Sequence, residues 1–393
     1  MKRLKLLFAS YLAVLVALFF YSFTQVDLSL TLSKISIYQL AEKTLQNIGF
    51  FQRPLSTLIF SVIFLFLFVF YGVFLYLCKK GRMQIKHIKV LIFLTFVILV
   101  FSYNAFSYDL FNYIFDAKIV TFYHQNPYLH KASDFANDPM LNFMRWTHRT
   151  YPYGPTWLLL TVPLSFIGLG YFLPTFFLFK LLIGASFLGS CYLIYKISEK
   201  IFPEHKLLNL VFWAFNPLVI VESLVSSHND LPMIFLLFLS FYIFLQRKFA
   251  SSFISYLFSV AVKFSSGVFA PLIFLFIFLE KTKRKIDWEK IFLIAVALSL
   301  ITIPLAVFRT TFQPWYIIFP LSLAAFISKK YYIFIPFFIA SFFGILIYVP
   351  YVYMTDYAKP YPAVIQNIEI AGVLSIVVFT AIFFLRTKLV SKH

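Results

Sequence analysis

The chain has 393 residues, of which 61% are hydrophobic and only 12% charged, and it carries a net charge of +19 at pH 7. That composition excludes a soluble globular domain, and the apolar runs do not alternate with polar residues as membrane-barrel strands do. An all-α, polytopic transmembrane helical bundle is what remains, because a helix satisfies its own backbone in hydrocarbon.

Apolar runs predict spans at about 6–23, 54–78 and 88–107, then a broken segment at 155–196. Further runs follow at 207–226, 231–246, 250–264, 266–279, 291–308, 316–328, 331–350 and 366–385. At the roughly 20 residues a crossing needs, this reads as about 12 to 13 spans. Several are only about 13 to 15 residues long, near 20 Å at the helical rise, which suits a bundle with a cavity cut into it. The first run, "MKRLKLLFASYLAVLVALFFYS", resembles a signal peptide but lacks a small-x-small cleavage site, so it reads as a retained helix.

Charge gives these helices a direction. Roughly two thirds of the Lys and Arg residues fall in alternate loops, among them Lys2, Arg3 and Lys5, the 79–89 stretch, and Arg386, Lys388 and Lys392. Those loops read as cytoplasmic, with both termini inside, so the basicity marks orientation and not a nucleic-acid partner. Cys78 and Cys191 make neither a disulfide framework nor a metal set. The whole chain, 1–393, reads as a single integral membrane domain in the cytoplasmic membrane. Its outer stretches are 24–52, 108–154 and 353–362, the last expected to form an ordered turn on its prolines. The 108–154 stretch is rich in aromatics, His, Asn and Asp, which predicts short helices folded onto the membrane face and a catalytic loop there.

Five polar clusters lie at this outer boundary, the adjoining stretches 145–149 and 150–157 counting as one. In "DLFNYIFDAKIVTFYHQNPY", Asp109, Asn112, Tyr113 and Asp116 share one helical face opposite Leu110, Phe111, Ile114 and Phe115. The stripe reads either as the wet side of an interfacial helix or as a carboxylate site for a general base. In "MRWTHRT", Arg145, His148 and Arg149 fall on one helical face, to meet anionic headgroups or a substrate phosphate. "TYPYGPTW", with Tyr153 between two prolines, makes a rigid start to the following span.

"NPLVIVESLVSSHND" carries Glu222 inside an apolar span and His228, Asn229 and Asp230 at its outer end, either as a turn or as a sugar or phosphate site. Lys263 sits at the tip of a short hairpin, to snorkel or to pair with an anion. "FRTTFQPWY" brings Arg309, Gln313, Trp315 and Tyr316 to the boundary, where Trp and Tyr also serve as plain interface anchors. The histidines show no H-x-x-x-H spacing, so no zinc site is expected.

The order and spacing of these motifs, over roughly residues 100 to 320, resembles the polytopic C-type glycosyltransferases (the GT-C superfamily). The resemblance is closest to prokaryotic mannosyltransferases that use polyprenyl-phosphate mannose. It implies GT-C-like outer loop helices and a hexosyltransferase acting on the outer face of the membrane. The donor it implies is a polyprenyl-phosphate sugar, and the acceptor a glycan, glycolipid or protein. It makes Asp109 the catalytic base, with Asp116 supporting it or binding sugar. Where the family often has glycine and then arginine after the second aspartate, this chain has Ala117 and Lys118, and Lys118 keeps a charge without the forked contact.

Lys263, Arg309, His228, Arg145 and Arg149 are the candidates to meet the leaving phosphate. Phosphate leaves readily, so no cofactor is required, and a divalent cation is left open because some of the superfamily use one. The rival class is a transporter or lipid flippase with an outward polar cavity. It predicts inverted repeats and broken helices near the midplane, and the sequence carries neither symmetry nor charge at corresponding midplane positions in two halves.

Overall fold

The computed structural model describes residues 2–282, 285–308, 310–354 and 361–390. In chain order the helices are α1 (Lys2–Ser22), α2 (Ser36–Gln46), α3 (Arg53–Lys79), α4 (Ile85–Val100), α5 (Asp109–Thr121), α6 (Pro155–Ile167), α7 (Phe172–Ile201), α8 (Lys206–Ala214) and α9 (Pro217–Ile220). They continue as α10 (Asp230–Phe244), α11 (Phe249–Val262), α12 (Ala270–Lys281), α13 (Trp288–Val307), α14 (Ile318–Ala324), α15 (Tyr331–Leu346), α16 (Tyr348–Met354) and α17 (Tyr361–Val390). Among the described residues there is no strand, only an isolated bridge between Lys131 and Thr150. The all-α polytopic expectation holds.

Fewer helices reach full membrane length than the apolar runs suggested. Among the described residues six are long and apolar enough to cross, or seven if one bent pair counts as a single span. Helices of 10–17 residues, such as α6, α10 and α11, are shorter. The breaks have local causes. The run 155–196 divides at a turn where Leu169 and Gly170 take φ of 53° and 76°, and the 30-residue α7 is long enough to cross by itself. The run 207–226 bends by 55° between Pro203–Ala214 and Pro217–Val225. There Pro217 has no N–H to continue the ladder, and the Asn216 side chain accepts from Leu218 N at 3.0 Å. Most of the expected 353–362 turn lies outside the described residues.

The chain divides into two compact units, Met1–Ile63, Val90–Ser190 and Val221–Phe264 in one, and Phe64–Lys89, Cys191–Ile220 and Ser265–His393 in the other. In the first, buried tyrosines on α1 tie it to its neighbours. Tyr11 shares a hydrogen bond of 3.1 Å with Thr95, and Tyr21 one of 3.0 Å with Ser56. Helices α10 and α11 form a hairpin closed by serines bonding across to backbone carbonyls. Ser240 Oγ donates to Ser252 O (2.7 Å), Ser252 Oγ to Ser240 O (2.8 Å), Ser255 Oγ to Leu236 O (2.9 Å) and Ser259 Oγ to Met233 O (2.8 Å). Between apolar helices in lipid, small residues and such bonds drive association where the hydrophobic effect cannot.

In the second unit, Tyr71 donates to Phe212 O at 2.9 Å and Asn216 Nδ2 to Ser341 Oγ at 2.9 Å. Phe64, Phe68, Phe338 and Phe342 pack ring against ring around Tyr71.

Candidate active site

The long loop folds as expected into short elements. α5 opens it, with 3-10 turns at Ala132–Asp134 and Pro139–Asn142 behind. Asp109 occupies the first turn of α5, where the helix dipole favours an anion, and its backbone N–H donates to Ser107 Oγ at 3.2 Å. Leu110, Phe111, Ile114 and Phe115 are buried, while Asp109, Asn112 and Asp116 keep partly exposed surfaces. The predicted stripe exists, with one difference. Tyr113 is buried, donates from its hydroxyl to Asn229 Oδ1 at 3.3 Å, and sits edge-on to Tyr153 and Trp157.

Asp116 is enclosed by protein on most sides, and burial pushes its carboxyl up to about 8. Lys118, nine residues beyond Asp109 and so about half a turn round the helix, does not join the stripe. It pairs with Asp138, which also accepts from Tyr123 Oη at 2.6 Å. That pair walls a cavity of about 310 Å³ lined by Ile114, Phe122, Met140, Phe143, Tyr171 and Phe172 among others. Asp109 is not among its lining residues.

The stretch 221–230 supplies the other half of the site. After α9 the helix widens into a π-type turn, Val221–Val225, and Ser227 adopts a left-handed φ of 54°. Non-glycine residues there are strained, and such strain gathers at functional sites. The turn is held by Ser226 N donating to Val221 O at 2.8 Å and His228 N to Glu222 O at 3.1 Å. Buried Lys180 on α7 adds bonds to Ser102 O (2.7 Å), Ser102 Oγ (3.0 Å) and Val225 O (3.3 Å).

The fold thereby sets the fully buried His228 between two acids. Its Nδ1 is 3.5 Å from Asp109 Oδ2, and its Nε2 is 3.2 Å from Glu222 Oε2. Glu222 is fully buried and the Asp109 side chain is 16% exposed, so the row runs from an open end to a dry one. Burial acts to lower the pKa of His228, but the two carboxylates outweigh it and hold the imidazolium, up to about 9. Around this row, Ser223 Oγ, Ser226 Oγ, Ser227 Oγ and Asn229 Nδ2 are buried without a hydrogen-bond partner among the described residues. Such atoms are costly unless something bonds them.

Other expected site residues are placed as follows. Lys263 ends α11 and pairs with buried Asp230 at 2.7 Å, so the anion it meets belongs to the protein. The 145–149 stretch is irregular, not helical, so the expected shared face of Arg145, His148 and Arg149 does not form; Trp146 takes a φ of 55° within it. Exposed Arg145 lies over the Tyr108 ring at 5.1 Å and its carbonyl accepts from Asn112 Nδ2 at 2.8 Å, while exposed Arg149 lies over Trp146 at 4.3 Å. Gln313, Trp315 and Tyr316 belong to the second unit and form a local set. Gln313 Nε2 donates to Thr311 Oγ1, Tyr316 Oη shares a hydrogen bond with Thr310 Oγ1, and the Trp315 and Tyr316 rings meet edge-on. Arg309 lies outside the described residues.

Sequence reasoning gives Glu222 no place in the site, although a carboxylate inside an apolar span is the available signal. Among the described residues no three His, Cys, Asp or Glu side chains are arranged to hold a metal ion. Asp109 and Glu222 flank an imidazole instead of converging on one point, so this donor set does not fit a divalent cation.

Comparison with known proteins gives one finding. Residues 15–279 match the family model for alpha-(1→6)-mannopyranosyltransferase, N-terminal domain. No curated protein and no solved structure matches the chain. The matched span is more than half of the chain and takes in α5, the 221–230 turn and Lys263. The chain therefore belongs to the alpha-(1→6)-mannopyranosyltransferase (MptA_B) family, as a multi-pass membrane glycosyltransferase.

Proposed function

We propose that the protein moves mannose from a polyprenyl-phosphate donor to a hydroxyl acceptor on the outer face of the cytoplasmic membrane. Asp109 acts as general base in a single inverting displacement. The observation that carries this reading is the Asp109 carboxylate itself, partly open at one end of a row of ionisable groups that is otherwise dry. A base must reach its hydroxyl while staying clear of bulk water.

In the step, the acceptor oxygen attacks the anomeric carbon as its proton passes to Asp109. The bond from that carbon to the phosphate oxygen breaks, and the electron pair leaves with the polyprenyl phosphate. Inversion to an alpha product calls for a donor with its sugar in the beta configuration. A (1→6) linkage calls for a primary 6-hydroxyl on a mannose of the acceptor glycan.

Charge growing on the leaving phosphate needs a preorganised cation. Arg145 suits that role best, being fixed beside α5 through Tyr108 and Asn112. Lys263 is already matched by Asp230, and the pair serves to hold a carboxylate for sugar hydroxyls. The unpartnered Ser226, Ser227 and Asn229 atoms offer the kind of donors and acceptors that a sugar ring uses. Asn112, Tyr113, Asp116 and Tyr153 complete the set on the α5 side.

Asp109→Asn keeps size and removes the base. Transfer from polyprenyl-phosphate mannose in membranes is expected to drop by at least about 100-fold, with expression and folding retained. A wild-type rate in that variant would eliminate Asp109 as the base.

A further inference from the structure

The arrangement behind Asp109 goes further than a lone carboxylate requires. A base needs one acid, yet here a fully buried imidazole lies within 3.5 Å of it and a second fully buried acid within 3.2 Å of the imidazole, at ion-pair distance. Burying three ionisable groups is expensive, and apolar residues of the same volume would pack as well at less cost. The chain spends backbone strain on the same contact, in the widened turn at Val221–Val225 and the left-handed Ser227. Without those distortions Glu222 and His228, six residues apart, would point to different sides of a regular helix.

We infer that His228 and Glu222 are positioning residues for the proposed base. His228, protonated between the two acids, binds Oδ2 of Asp109 and leaves the other carboxylate oxygen to face the acceptor hydroxyl. Glu222 holds the far nitrogen of the ring, so that the imidazole can neither rotate nor lose its second proton. During transfer the acceptor proton goes to the free oxygen of Asp109 and from there to water after the product departs. His228 keeps its protons throughout. The inference rests on Asp109 being the base, and deepens that reading.

The experiment is steady-state transfer by the purified full chain, with polyprenyl-phosphate mannose as donor and a mannose-terminated oligosaccharide as acceptor. Glu222→Gln is expected to lower kcat roughly 10-fold and His228→Leu roughly 100-fold, each with the donor KM within about twofold of wild type. His228→Asn, which keeps a donor toward Asp109 but cannot reach Glu222, is expected to retain more activity than His228→Leu. Adding Glu222→Gln to either His228 variant is expected to cost nothing more, because the two act in series.

Losses that multiply in the double variants, a raised KM at constant kcat, or wild-type kcat in the single variants would each overturn the inference. If His228→Leu does not fold, the comparison of His228→Asn with and without Glu222→Gln decides the same point. Asp109→Asn, measured alongside, separates the two claims. Full activity there defeats the base assignment itself, whereas an inactive Asp109→Asn beside unaffected His228 and Glu222 variants defeats only the positioning role.

Discussion

At the scale of single residues, two groups with raised pKa values, His228 and Asp116, each make stability fall as pH rises. His228 is raised from its ordinary 6.5 to about 9, and Asp116 from 3.8 to about 8. In both cases the folded state holds a proton that the unfolded chain gives up sooner. The contribution is therefore full below the ordinary value and lost as pH rises through the raised one. Thermal unfolding in detergent should accordingly weaken from pH 6.5 to about 9. His228→Gln should flatten that upper part of the curve, and Asp116→Asn the part between 3.8 and about 8. An unchanged slope in both variants would show that neither proton is held as described. The sequence did expose the individual residues Asp109, His228 and Asp116, because polar groups stand out against so apolar a background. It did not expose Lys118 as the partner of Asp138, since nothing local links a residue on α5 to one 20 positions further on in the irregular loop.

Among the elements, close approach decides where glycine is needed. Gly154 caps α6 beside α11, with its N–H donating to Val262 O at 3.4 Å. A β-carbon there would lie 2.2 Å from Ala261 O, which is backbone and cannot swing aside. Gly154→Ala should cost about 1–3 kcal/mol through forced separation of α6 and α11. It should also disturb Tyr153, whose ring meets Tyr113. A lower melting temperature together with reduced transfer is the expected pair of readings; an unchanged melting temperature would mean that the helices part without strain. Helix α5 and the serine-laced hairpin were legible, one from its stripe and the other from two short apolar runs. The 221–230 turn was not, because an apolar run with a regular period gives no warning of a π-type turn followed by a left-handed serine. That irregularity is what joins Glu222 to His228.

For the whole molecule, composition settled the fold class and the apolar runs located most helices, but they overstated how many reach across. Hydropathy cannot distinguish a full crossing from a 13-residue helix packed against neighbours. The proposed orientation makes its own prediction, here with Cys78 and Cys191 first changed to Ser. A membrane-impermeant maleimide should label Asn126→Cys, exposed in the long loop, on intact cells. It should label Arg82→Cys, exposed in the basic 79–89 stretch, only after lysis. The reverse pattern would put Asp109 on the cytosolic side and remove the extracytoplasmic donor from consideration.

Lys180 carries a consequence for how the protein is made. A lysine amine within an apolar helix is hard to insert when nothing accepts its protons. The chain emerges from its N-terminus, so Ser102 has already been synthesised when Lys180 leaves the ribosome, and two of its three acceptors belong to that serine. The third, Val225 O, comes later and closes over a group that is already engaged. The order of synthesis thus gives the lysine acceptors before the turn that carries His228 exists, and that turn forms against an anchor laid down in advance.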